Sequence, residues 1–174
     1  MAFNFDEWTS RQLASLGVTE DRITRVLPYE YVIDWSAIAA GGSQEASCRI
    51  DMGTPFIIAA YAFSPFLAVA SGTAIVGTPL LREPDSWNAT TTSGPNGNTL
   101  QSIDTLRINM RDSAGNWHNS PVRAANFAGR HDCEMSLAQR VIGGGVQLFG
   151  TLFNDGAQSI SAQLCLKGFR VYAA

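Results

Sequence analysis

Lysine is almost missing from this chain: Lys167 is the single lysine among twelve basic residues. Charge of either sign is also scarce, at 16% of residues against the ~25% usual for soluble domains. The formal net charge is −3, which leaves no electrostatic basis for binding nucleic acid or an anionic membrane surface. The three cysteines, Cys48, Cys133 and Cys165, are odd in number and never spaced CxxC. That argues against a disulfide framework and against a zinc site. Only two histidines occur, and no motif implies a metal or cofactor. The N-terminus, MAFNFDEW, lacks a basic stretch followed by an apolar one, so no signal peptide is expected. Scarce surface charge suits a chain that covers much of its surface with partners.

Apolar content, by contrast, is ample. Met52–Leu81 carries no charge, long enough to raise the question of a membrane span. Pro55, Pro65 and Pro79 punctuate it, Gly72 and Gly77 interrupt it and no basic cluster flanks it, so buried strands are expected instead. At 174 residues the chain can bury one good core. From Cys48 onward the pattern is β. Leu106, Ile108 and Met110 alternate with polar residues, DSAGN (112–116) reads as a turn, and Asn154-Asp155-Gly156 gives the clearest hairpin signal. Gly150 inside a strand predicts a close backbone approach. Strands separated by turns without a βαβ rhythm predict an all-β antiparallel sandwich, jelly-roll-like, over 44–174.

Residues 1–43 read differently, as an N-terminal arm. FDEWTSRQLASLG has helical spacing with Gly17 as a stop, a second short helix is expected from Thr19 to Pro28, and YEYVIDW looks extended. AIAAGGSQ would link arm to sandwich.

No catalytic constellation emerges, and the chain reads as non-enzymatic. RHDC (130–133) clusters reactive residue types, but neighbours on an extended chain point apart. IGGGVQ (142–147) lacks the Lys-Ser/Thr of a phosphate loop. His118 reads as a turn residue, and Arg107 and Arg111 as a solvated strand face.

A strand ending in RINMRDSAGN, the following SPVRAANFAG, and the closing pair LFGTLFNDGAQSISAQLCLKGFRVY form one pattern over about 104–172. It resembles accessory structural proteins of tailed bacteriophages. The resemblance implies a virion protein assembled in the host cytoplasm. It would be a capsid decoration or cement protein, or a neck, collar or tail-adaptor protein. Such a protein acts as a homo-oligomer, a trimer being favoured, on the major capsid or tail protein. On this reading Phe3, Phe5, Trp8 and Trp35 would dock the arm on its partner, and deleting residues 2–43 would leave the sandwich folded. A different reading is a host-surface glycan binder using Trp87 in the polar 82–102 loop and Trp117.

The closing strand has one local irregularity. Ile160, Ala162, Leu164 and Leu166 are apolar at even positions, then Phe169 and Val171 at odd ones. This predicts a bulge at Lys167-Gly168 that turns Phe169 and Val171 inward and leaves Arg170 and Tyr172 facing a neighbouring subunit.

Overall fold

The structure, a computed structural model, describes residues 5–67, 78–79, 91–93, 99–101, 105–127, 129–130 and 140–174. Helix α1 (Glu7–Ser15) starts the described chain. Asp6 caps it, one carboxylate oxygen accepting from the Thr9 N–H at 2.8 Å and the other from the Thr9 hydroxyl at 2.9 Å. Gly17, at φ +80°, ends it as the sequence predicts.

Eight strands build the body: β1 (Ile23–Ile38), β2 (Ser43–Arg49), β3 (Phe56–Leu67), β4 (Leu106–Asp112), β5 (Val122–Arg123), β6 (Arg140–Ile142), β7 (Gln147–Asn154) and β8 (Ile160–Ala173). A one-turn helix, α2 (Ala124–Phe127), follows β5. One sheet runs β1-β8-β3-β6 and the other β2-β7-β4-β5, each adjacent pair antiparallel. In chain order that is 1-8-3-6 against 2-7-4-5, the strand order of a jelly roll. Short pieces extend the edges: Gly115–Asn116 pairs β4, while Thr78–Pro79 and Gly129–Arg130 pair β3.

Alternation explains the core. Leu106, Ile108 and Met110 from β4, Leu148 and Leu152 from β7, and Ile160, Leu164 and Leu166 from β8 are all completely buried between the sheets. Trp35 spans the layers, donating its indole N–H to the Gly150 carbonyl at 2.9 Å. A Cβ on Gly150 would lie 2.6 Å from the Trp35 ring, so the close approach expected at this glycine is met by an indole.

Four expectations are corrected. Residues 5–43 are not a separate arm, because β1 pairs with β8 along most of its length and buries Ile33, Trp35 and Ile38 in the sandwich. The helix expected from Thr19 shrinks to a single turn, Glu20–Arg22, and β1 then runs straight through Pro28. An edge strand tolerates proline because one side of its backbone needs no ladder partner. AIAAGGSQ is therefore a tight corner between layers, with Gly41 at φ +69°. Asn154-Asp155-Gly156 is not a hairpin: β7 and β8 lie in opposite sheets, and residues 155–159 cross between them. The Asn154 amide stitches that crossing to the β1–β2 corner. It donates to the carbonyls of Ile38, Ala39 and Gln158 at 3.1, 3.1 and 2.7 Å, while its oxygen accepts from the Gly156 N–H at 3.1 Å.

The closing strand resolves differently from expectation too. The register against β3 does shift between Lys167 and Gly168, but the extra residue is Ala59 on β3. β8 itself keeps an unbroken register with β1 from Ala162 to Tyr172. A Cβ on Gly168 would sit 1.9 Å from the Ile57 carbonyl oxygen, so only glycine fits beside this bulge. Val171 is buried on the outer face of its sheet, in a second cluster with Leu13, Val18, Ile23 and Ile57. The apolar phase flips because α1 covers the outer face at this end, not because β8 turns over. Phe169 is 40% exposed rather than interior.

Candidate functional site

The connections divide between two ends of the sandwich. At one end lie the β1–β2 corner and the β7–β8 crossing sealed by Asn154. At the other lie the β2–β3 loop, the turn after β4, the β6–β7 loop and α1. All six exposed large apolar residues of the described chain, Trp8, Leu16, Leu27, Tyr29, Met52 and Phe169, belong to this second end. Leu27 and Tyr29 flank the C-terminal part of β8 through the pairs Leu27–Arg170 and Tyr29–Gly168. Met52 tops the β2–β3 loop.

This open end also holds a cleft of about 670 Å³ between α1, β6 and the turn after β4. Trp8, Gln12, Ser15 and Leu16 of α1 line one side. The helix is held by Leu13 in the second cluster and by Gln12, whose side-chain oxygen accepts from the Val141 N–H at 3.0 Å. The opposite side is organised by Asp112. One of its oxygens accepts from the Ala114 N–H at 2.8 Å; the other takes the Trp117 indole N–H at 2.8 Å and Arg140 at 3.3 Å. The Arg140 guanidinium lies over the Trp117 ring, 4.1 Å from its centroid. Behind them Phe127 meets Tyr61 and His118 edge-on, with centroids 5.1 and 5.4 Å away.

Charge in the cleft is balanced, because Arg140 and Asp112 pair. Burial, with Arg140 nearby, holds the His118 imidazole below its ordinary pKa, so it is neutral at pH 7. Its Nε2 is buried without a hydrogen-bond partner among the described residues. Burial pushes the Tyr61 hydroxyl up to about 12.

The residues expected at an interface do not come together. Phe3 lies outside the described residues. Phe5 packs half-buried on the second cluster, and Trp8, 46% exposed, lines the cleft. Trp35 is 2% exposed and unavailable for docking; the inter-sheet space it fills is the reason. Arg170 is turned inward rather than toward a neighbour. It pairs with Asp51, stacks 4.0 Å from the Tyr29 centroid, and donates to the Tyr31 hydroxyl at 3.2 Å. Tyr172 is half-buried, with Arg25 4.7 Å from its ring centroid. Trp87, His131 and Cys133 lie outside the described residues. Burial pushes the Cys48 thiol up to about 11, so it is protonated and unreactive at neutral pH.

Arg107 and Arg111 face solvent as expected, but as part of a ladder. Arg107 binds Asp155 at 2.8 Å, and Arg111 binds Glu45 at 3.0 Å while lying over Phe149. The participation of Gln12, Asp112 and Arg140 in one cleft was not visible in the sequence. They are far apart along the chain, and the only local signal was the Trp117 indole five residues after a turn aspartate.

Among the described residues no three His, Cys, Asp or Glu side chains converge, and no helix is long and apolar enough to cross a membrane. Comparison with protein-family models, curated proteins and solved structures finds no match.

Proposed function

We propose that this chain is a non-enzymatic structural protein of a tailed-phage virion, a decoration or cement protein that binds the head shell as a homo-oligomer, with a trimer favoured. The observation that carries this reading is the jelly-roll strand order, 1-8-3-6 against 2-7-4-5, an architecture that capsid proteins use. Fold alone does not specify function. The resemblance of residues 104–172 to accessory virion proteins and the low surface charge add independent support.

Because β1 is paired into the sandwich, the contact surface proposed here does not rest on an arm. Leu27, Tyr29 and Met52, exposed at the open end, and Phe169, exposed on the outer face of the same strand pair, are the residues we assign to subunit and shell contacts. Burying such side chains yields roughly 25 cal/mol per Å² of apolar area, and several copies on one particle multiply a modest contact.

The reading is tested by mass spectrometry of particles purified from cultures that express the gene. The chain should be recovered in intact virions at many copies and travel with the heads after heads and tails are separated. Recovery with the tails instead would move it to the neck or tail. Its absence from purified particles would overturn the virion reading.

A further inference from the structure

We infer that the cleft between α1 and the turn after β4 is a binding site for a neutral pyranose sugar. This goes beyond the virion reading and does not depend on it. The cleft's volume of about 670 Å³ lies in the range of small-molecule sites and accommodates one or two sugar rings.

The lining chemistry selects the ligand class. Aromatic rings and planar polar groups share one surface: Trp8 and Trp117 beside Gln12, Arg140 and His118. A pyranose presents the same mixture, a C–H face that can stack on the exposed Trp8 indole and a rim of hydroxyls that both donate and accept. Trp8 is 46% exposed yet sits on a helix fixed by the Gln12–Val141 hydrogen bond and by buried Leu13, so the platform is pre-positioned.

Polar capacity is left over. The Gln12 oxygen is committed to Val141, which leaves the side-chain NH₂ as a donor. Arg140 uses one terminal nitrogen on Asp112 and remains partly exposed. Neutral His118 lines the same cleft, its Nε2 buried and without a hydrogen-bond partner among the described residues.

Other ligand classes fit less well. A phosphate or nucleotide needs uncompensated positive charge, and Arg140 is already neutralised by Asp112. A purely apolar ligand would cover the Gln12 NH₂ and the remaining Arg140 N–H groups without offering them an acceptor.

The test titrates the full chain with methyl glycosides of glucose, galactose, mannose and N-acetylglucosamine, reading tryptophan fluorescence and amide NMR shifts. At least one glycoside should bind saturably and shift the amides of α1 and of residues 112–118. Trp8→Ala should weaken that binding about tenfold and Trp8→Phe should largely restore it, with unchanged far-UV circular dichroism. Gln163→Ala, at an exposed residue of β8 outside the cleft, should bind like the unmodified chain. No saturable binding of any of the four glycosides would overturn the inference. Binding that Trp8→Ala leaves intact would overturn the assigned site.

Discussion

The two ends of the sandwich solve the same problem in opposite ways. Each must close the space between two sheets. At the sealed end Asn154, fully buried, spends its side chain on main-chain groups from the β1–β2 corner and the β7–β8 crossing. At the open end a helix is laid over one sheet's outer face, an aromatic cleft remains, and six large apolar side chains stay in contact with solvent. Buried polar closure gives one fixed geometry and little to bind. Exposed apolar closure costs solubility and is retained where a partner covers it.

The largest expected effect breaks the notion that one end can be detached. Deleting residues 2–43 removes β1 and Trp35, so the chain should fail to fold, lacking a cooperative thermal transition; a folded truncation would restore the separable arm. Trp35→Ala leaves both ends in place but empties the space between the sheets. It should cost about 3–5 kcal/mol in denaturant unfolding. A loss below about 1 kcal/mol would mean the indole does not tie the layers together.

Asn154→Ala probes the sealed end alone. It strips three carbonyls of a donor and should cost about 2–3 kcal/mol. The smallest effect on stability belongs to the open end. Leu27→Ser with Phe169→Ser should change unfolding free energy by less than about 1 kcal/mol, because both side chains already meet water. If the second pair proves as costly as Asn154→Ala, the contrast between the ends is wrong.

How much of this was legible depended on whether a residue's neighbours were local. The alternation of Leu106, Ile108 and Met110, and of Ile160 to Leu166, reports one buried face directly, and both strands stand where the pattern puts them. The helix over 7–15 was equally readable from spacing and its glycine stop. Pro28 misled because a proline reads as the end of a helix, yet fits equally well in an edge strand such as β1. Asn154-Asp155-Gly156 misled because the same turn residues can cross between layers as well as close a hairpin. The flip between Leu166 and Phe169 was a true signal with a distant cause. Val171 is apolar because Leu13, far earlier in the chain, packs beside it. The cleft was unreadable for the same reason, since Gln12, Asp112 and Arg140 meet only in the fold.

The claim that the open end is a contact surface is tested most directly by light scattering of the purified chain across concentrations up to about 100 µM. An oligomer is predicted, most simply a trimer, and Leu27→Ser with Phe169→Ser should dissociate it into folded monomers. A monomer throughout, or an oligomer that these substitutions leave intact, would contradict it.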